Sequence, residues 1–108
     1  MQINELKQNF FQNFFIVILS YKAPLEKIDA FRAVHLEFLQ KYYDEGLFII
    51  SGPQVPRSGG IILAKCDSKN ILQAILARDP FAINSLATYE IIEFVPTKWN
   101  NILKEVII

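Results

Sequence analysis

The residues of this chain that are most suited to chemistry centre on His35, its only histidine. His35 ends the tetrapeptide Arg32-Ala33-Val34-His35 and lies within the apolar stripe of a predicted helix. A titratable side chain on a buried face is costly unless it has a partner or a function. An imidazole paired with a carboxylate suits proton transfer near neutral pH. We therefore predict that His35 is a general base or acid. The alternative is a core histidine bound to a backbone carbonyl or a water.

Asp79 is the predicted partner of His35. It begins the segment Asp79-Pro80-Phe81, directly after the second predicted helix. A carboxylate there would orient the imidazole or act as the base itself, although aspartate before proline is also a common turn former. The hypothesis that follows is a His–Asp pair beside a pocket.

Four other residues are predicted to position a ligand near this pair. Arg32 lies one turn before His35 and can bind a carboxylate or phenolate, or be a solvated surface arginine. Ser51 and Gly52 end a predicted strand, where a hydroxyl can donate and a glycine lets the backbone approach a ligand; a plain hairpin exit is the alternative. Arg57 lies in the loop that follows. It is predicted to reach a ligand pocket, in its own or in a second subunit, or to be solvated.

The elements that must hold these residues follow the order β-α-β-β-α-β. Continuous apolar runs predict the strands, and apolar spacings of three and four predict the helices. The predicted strands are 14–21, 47–51, 60–66 and 88–95, and the predicted helices are 25–44 and 69–77. The inner face of the first helix is predicted to hold Ile28, Phe31, His35, Phe38 and Tyr42. The second helix is predicted to be capped by Asp67 or Ser68 and to end before Asp79-Pro80. Its inner face is predicted to hold Ile71, Leu72, Ile75 and Leu76.

This order is the ferredoxin-like topology, an α+β fold with a four-stranded antiparallel sheet. Two helices cover only one face of such a sheet, yet the first three strands are apolar on both faces. We therefore expect a homodimer that forms through the open sheet face. The expected organisation is an N-terminal extension (1–13), the domain (14–98) and a C-terminal arm or short helix (99–108).

The composition excludes several functional classes. With 108 residues the chain has room for one domain, and its 11 acidic and 11 basic residues balance. Nucleic-acid binding and attraction to anionic membranes are therefore not expected, and the third strand lacks the motifs of RNA-recognition domains. The apolar run 14–19 is too short to cross a membrane and is predicted to be a strand.

No cofactor or metal site is expected from the motifs present. One histidine and one cysteine, Cys66, leave no zinc-type cluster, and glycine-rich phosphate or dinucleotide motifs are missing. A lone cysteine forms no intramolecular disulfide, which fits a reducing cytoplasm.

Together these motifs resemble the YCII (YciI-like) family. The resemblance rests on Arg32-x-x-His35-Leu36, the loop Ser51-Gly52-Pro53-Gln54-Val55-Pro56-Arg57-x-Gly59-Gly60, Asp79-Pro80-Phe81 and Tyr89-Glu90-Ile91-Ile92-Glu93-Phe94. It covers about Phe14 to Lys98. The family often has proline between the arginine and the histidine, where this chain has Ala33-Val34. The chain also extends beyond the family pattern at both ends.

The resemblance implies a dimeric α/β barrel whose subunits pair sheet to sheet. By motif match it places His35 and Asp79 together in an active site. One branch of the family is linked to dehydrohalogenation of chlorinated hydroxyquinols, and the barrel group includes muconolactone isomerases. The residues of the loop from Ser51 to Gly60 resemble those of that branch, and this resemblance implies lyase or isomerase chemistry. The ligand-binding residues expected with the pair are Arg32, Ser51, Gly52, Pro53, Arg57 and Phe81.

The functional expectation is therefore a cofactor-independent enzyme that transfers a proton on a small cyclic or phenolic compound. A non-catalytic small-molecule-binding or accessory domain is the alternative from another class. A haem- or quinone-handling monooxygenase of the same barrel group is a second alternative.

Overall fold

A computed structural model of the chain describes residues 13–107. The predicted extension 1–13 therefore lies almost entirely outside the described residues. The structure contains β1 (Asn13–Tyr21), α1 (Leu25–Ala30), α2 (Arg32–Asp44), β2 (Phe48–Pro53), β3 (Gly59–Cys66), α3 (Lys69–Leu76), α4 (Pro80–Ile83), β4 (Ala87–Phe94), a 3-10 turn (Asn101–Leu103) and α5 (Lys104–Ile107).

The four strands form one antiparallel sheet in the order β2-β3-β1-β4. Val17 in the central strand β1 pairs with Ile62 of β3 on one side and with Ile91 of β4 on the other. This is the predicted ferredoxin-like α+β fold. The chain approaches itself closely at Gly59, where any Cβ would lie only 1.8 Å from the Leu19 carbonyl oxygen.

Helices α1 to α4 pack on one face of the sheet and divide the core into two clusters. Phe15 and Val17 of β1 pack in the larger cluster with Leu39, Tyr42 and residues of α3. Leu19 packs in the smaller cluster with Ile28, Phe81, Leu86 and Ala87. The second cluster lies at the end of β1 that leads to α1, and it places Phe81 beneath the candidate site.

The prediction of one helix from 25 to 44 is wrong at Phe31. Phe31 leaves helical geometry, with φ −106° and ψ 5°, and separates α1 from α2. The break lets Ile28 enter the smaller cluster while Tyr42 enters the larger one. The predicted inner face also needs correction, because Leu39 is buried while Phe31, His35 and Phe38 are half-buried. Gly46, at φ +79°, follows the end of α2.

The second predicted helix is followed by a further helix that the sequence pattern did not reveal. Ser68 caps α3 by accepting from the backbone N–H of Ile71, which decides between the two predicted caps. Ile71 is 48% exposed and so does not belong to the inner face. Helix α3 ends at Leu76, and Asp79 then begins the four-residue helix α4.

The opposite face of the sheet remains partly uncovered. The apolar side chains of Ile50, Ile92 and Phe94 are 64%, 46% and 40% exposed. The C-terminal segment approaches this sheet in its own subunit, because Lys65 Nζ donates to the Val106 carbonyl over 2.8 Å. Ile107 is buried. This segment contains the 3-10 turn and α5.

Candidate active site

Asp79 and Phe81 are positioned by the start of α4. The Asp79 side chain is the N-cap of this helix, and its Oδ1 accepts from the Phe81 backbone N–H over 3.0 Å. Pro80 occupies the first helical turn, where its fixed φ suits the helix and its missing N–H costs nothing. The cap holds the carboxylate in one orientation, and Asp79 has no exposed surface.

His35 reaches this carboxylate from α2. Its Nδ1 lies 2.8 Å from Asp79 Oδ1, and its side chain is 12% exposed. The imidazole also stacks on the Phe81 ring, with ring centres 4.0 Å apart and planes 8° apart. Asp79 and Phe81 thus fix both the position and the rotation of the imidazole.

The hydrogen bonds around Asp79 indicate which tautomer His35 adopts. An ionised carboxylate only accepts hydrogen bonds, so His35 Nδ1 carries the proton and donates it to Asp79. The neutral ring then has an unprotonated Nε2, which is the atom with a free lone pair. This is the arrangement in which an aspartate orients a histidine base.

A third donor to Asp79 comes from β4. The Tyr89 hydroxyl donates to Asp79 Oδ2 over 2.6 Å. Burial, together with this hydrogen bond, raises the pKa of Tyr89 above its usual value. Sequence reasoning missed this residue. The available signal was that Tyr89 lies on the side of β4 that faces the helices, where a half-buried tyrosine needs a partner for its hydroxyl.

His35 lies beside a cleft of about 270 Å³ between α2 and the β2–β3 end of the sheet. The structure brings seven of the eight predicted site residues to its walls: Arg32, His35, Ser51, Gly52, Pro53, Arg57 and Phe81. Asp79 is behind His35 rather than in the wall. The remaining wall residues are Leu19, Tyr21, Leu36, Leu39, Gly60, Ile61 and Ile62. The cleft therefore combines an apolar surface with two arginines.

Arg57 is held beside the cleft by an ion pair. Its Nη2 donates to Asp29 Oδ1 over 2.5 Å, and its guanidinium carbon is 5.8 Å from the centre of the Tyr21 ring. The hydrogen bond from Arg57 lowers the pKa of Asp29, and the same bond raises the pKa of Arg57. The pair connects the β2–β3 loop to α1.

Ser51 also has a partner that the sequence did not indicate. The hydroxyls of Tyr43 and Ser51 are 2.5 Å apart, so α2 and β2 are linked beside the cleft. Tyr43 follows the buried Tyr42 in α2, and two adjacent tyrosines gave no signal that one of them serves the site. The bond fixes the orientation of the Ser51 hydroxyl.

The described residues, 13–107, contain neither a metal-binding cluster nor a membrane-spanning helix. No group of three or more histidine, cysteine, aspartate or glutamate side chains in this range is arranged to hold a metal ion. Cys66 is a buried free thiol. None of the helices in the same range is long and apolar enough to cross a membrane.

Comparison with known proteins identifies the family. A model of the YCII-related domain matches residues 14–95, from β1 to the residue after β4. The chain belongs to the YCII family. The matched range contains His35, Asp79 and Tyr89, and it agrees with the resemblance carried by the sequence motifs. No curated protein matches this chain.

A solved structure similar to this YCII domain is 5-chloro-2-hydroxyhydroquinone dehydrochlorinase from Burkholderia phenoliruptrix AC1100, in complex with 2,5-dihydroxybenzoquinone. The two structures superpose with a TM-score of 0.65 at 15% sequence identity. The similarity covers 81% of this chain and 93% of the dehydrochlorinase chain. At this identity the likeness establishes the shared fold.

Proposed function

We propose that this YCII protein is a cofactor-independent lyase or isomerase that transfers a proton on a small cyclic or phenolic compound. The observation that carries the proposal is the 2.8 Å bond between His35 Nδ1 and the buried carboxylate of Asp79, beside a cleft. That bond leaves Nε2 as the free base of the pair. Within this proposal, Asp79 orients the imidazole and stabilises its charge after protonation.

The proposed step begins when Nε2 removes a proton from an acidic C–H or O–H group of the ligand. In an isomerisation the imidazolium returns the proton to another carbon, so the ligand keeps its composition. In a dehydrochlorination the C–Cl bond breaks, chloride leaves with the electron pair, and the net loss is HCl. Both reactions balance without an oxidant or a reductant.

The cleft supports a small ring compound as the ligand. Its volume of about 270 Å³ and its apolar wall suit a single ring, and the two arginines suit a phenolate or carboxylate oxygen. We propose that Arg32, Arg57 and Ser51 bind the polar groups of the ring. Gly52, Pro53 and Phe81 would bound the space in which the ring lies.

The similar dehydrochlorinase supports the same class of reaction. That enzyme acts on a chlorinated hydroxyhydroquinone, and its structure contains a dihydroxybenzoquinone. We extend only the reaction class to this chain, since the two sequences are 15% identical.

The test is turnover of candidate rings by the wild-type protein and two matched variants. Chloride release from 5-chloro-2-hydroxyhydroquinone reports dehydrochlorination, and isomerisation of muconolactone is followed by its ultraviolet spectrum. His35→Gln is expected to lower kcat by about 100-fold or more, because it removes the base. Glu37→Gln changes an exposed residue of the same helix and is expected to keep full turnover. Full turnover by His35→Gln would overturn the mechanism.

A non-catalytic small-molecule-binding domain is the second candidate. It is favoured by the structural use of Asp79, which caps α4 whether or not it assists catalysis. This candidate predicts that ring compounds bind in the cleft and are released unchanged. Binding without turnover across both substrate classes would favour it over the enzyme.

We also propose that two copies pair through the open sheet face in the cytoplasm. Ile50, Ile92 and Phe94 give this face its exposed apolar surface. Burial of that surface against a second copy is the simplest way to remove it from water. The buried free thiol of Cys66 fits a reducing compartment.

A further inference from the structure

Tyr89 is the one donor to Asp79 that the proposed mechanism leaves without a role. Its hydroxyl contacts Oδ2, whereas His35 and the Phe81 backbone both contact Oδ1. Tyr89 is not part of the wall of the His35 cleft. It lines a different cleft of about 580 Å³, between α3 and β4. Its hydroxyl therefore acts on Asp79 from the side away from the candidate ligand site.

We propose that Tyr89 is a positioning residue that holds the Asp79 carboxylate charged and aligned, so that His35 keeps its proton on Nδ1 and its lone pair on Nε2. The proposal rests on the base role assigned to His35 above. It adds a residue that contacts neither ligand nor imidazole and works only through Asp79.

Hydrogen bonds are the stabilising contacts of the buried Asp79 carboxylate. Its carboxylate has no exposed surface, and no lysine or arginine of the described residues forms an ion pair with it. Its negative charge is therefore stabilised by three hydrogen bonds. Within residues 13–107, the Tyr89 hydroxyl is the one hydrogen-bond donor to Oδ2, at 2.6 Å. Without that donor, a buried charged oxygen would lack a partner, which is costly.

Tyr89 contacts Asp79 from a fixed position in the sheet. Tyr89 pairs with Leu19 in the β1–β4 ladder, so its backbone is fixed within the sheet. A tyrosine phenol ionises only at about pH 10, and burial raises the pKa of Tyr89 further, so its hydroxyl stays protonated through the neutral range. It is therefore a permanent donor on a rigid support. A carboxylate held at both oxygens cannot rotate away from His35 without losing a bond.

The test uses the single histidine as its own reporter. In protein labelled with 15N-histidine, the two ring nitrogens of His35 give the ratio of its Nδ1–H and Nε2–H tautomers after the ring has become neutral. Tyr89→Phe keeps the ring and removes the hydroxyl. It is expected to lower the Nδ1–H to Nε2–H ratio about fivefold. Tyr42→Phe makes the same chemical change in the larger core cluster and is expected to leave the ratio unchanged.

A double-mutant cycle tests whether the effect passes through Asp79. In an Asp79→Asn background, Tyr89→Phe is expected to have no further effect on the tautomer ratio. Should Tyr89→Phe not fold, 3,5-difluorotyrosine at position 89 alone keeps the ring and makes the hydroxyl a stronger donor. That replacement is expected to move the ratio in the opposite direction.

Kinetics separate this inference from the function it rests on. With a substrate in hand, Tyr89→Phe is expected to lower kcat about tenfold and to change KM less than about twofold, because Tyr89 is outside the ligand cleft. A tautomer ratio equal to that of the wild type would overturn the role of Tyr89, whatever His35→Gln does. Full turnover by His35→Gln would overturn the base mechanism, and the tautomer ratio would still decide whether Tyr89 positions the pair.

Discussion

The ring of Phe81 lies parallel to the imidazole of His35, with the two ring centres 4.0 Å apart. The backbone N–H of the same Phe81 donates to Asp79 Oδ1. One residue therefore holds both members of the His–Asp pair, the first through its ring and the second through its backbone. A substitution at position 81 consequently changes the ring contact and leaves the capping bond in place.

Shortening Phe81 is expected to reduce stability and to loosen His35. Phe81 is buried, and Phe81→Leu is expected to lower the free energy of unfolding by about 1–2 kcal/mol because it leaves part of the ring volume empty. Urea unfolding measures this loss. The matched control is Ile83→Ala, at a 66% exposed position of the same helix α4, for which a smaller loss is expected. Equal losses for the two variants would contradict the packing argument.

Asp79 is expected to be necessary for stability as well as for the proposed chemistry. Asp79→Ala leaves three donors without their acceptor, and it is expected to lower the free energy of unfolding by about 3 kcal/mol. Ser68→Ala removes an ordinary helix cap and is expected to cost about 1 kcal/mol. Both values follow from urea unfolding. A cost for Asp79→Ala no larger than that for Ser68→Ala would show that the buried network contributes only its capping bond.

Ionisation of Tyr89 is expected to lower the stability of the folded protein at alkaline pH. In the unfolded chain a tyrosine ionises at about pH 10, whereas burial and the bond to Asp79 raise the pKa of Tyr89 in the folded chain. The folded state therefore holds this proton more tightly. The contribution of this proton to the free energy of unfolding is complete below about pH 10 and is lost as the pH rises above that value.

Urea unfolding across this pH range measures the effect. We expect the wild type to lose stability more steeply above about pH 10 than Tyr89→Phe does. Tyr42→Phe keeps Tyr89 and is expected to retain the steep decline. The explanation is wrong if Tyr89→Phe and the wild type decline in parallel.

The apolar pattern alone gives the place of His35 on its helix, whereas its contact with Asp79 needed the family motif as well. An apolar stripe places a residue on a helix face, and the order of elements gives the topology, so both follow from local patterns. The contact between His35 and Asp79 joins residues 44 positions apart, and it was anticipated from the family motif and the placement of Asp79 after α3. No periodicity encodes such a distance.

The features that were missed depend on tertiary packing. The break at Phe31 arises because α1 and α2 bury side chains in different clusters, which a single helical period does not show. Helix α4 has four residues, too few for a periodic signal. The hydroxyl of Tyr89 meets Asp79 only after β4 has paired with β1, so its role is visible only in the folded chain.

The arginines of the cleft are expected to favour anionic rings. Arg57→Ala is expected to weaken binding of 2,5-dihydroxybenzoquinone, whose hydroxyls are acidic, by about tenfold. The neutral 2,5-dimethoxybenzoquinone is expected to lose much less. Calorimetric titration with both rings measures the difference. Arg78→Ala serves as the control, because Arg78 is exposed and outside the cleft wall. Equal losses for both rings would mean that Arg57 shapes the cleft without recognising charge.

The open sheet face is expected to be the dimer interface. Ile92 is 46% exposed there, and Ile92→Glu places a charge where a second copy would pack. Sedimentation velocity at micromolar concentration is expected to show a dimer for the wild type and a monomer for Ile92→Glu, because a charge buried in an apolar interface lacks a partner. Ile71→Glu makes the same change at a 48% exposed position of α3, on the covered side of the sheet, and is expected to remain a dimer. A monomeric wild type would contradict the prediction. Loss of the dimer in Ile71→Glu alone would instead place the interface on the helices, and the sheet face would then remain exposed in the assembly.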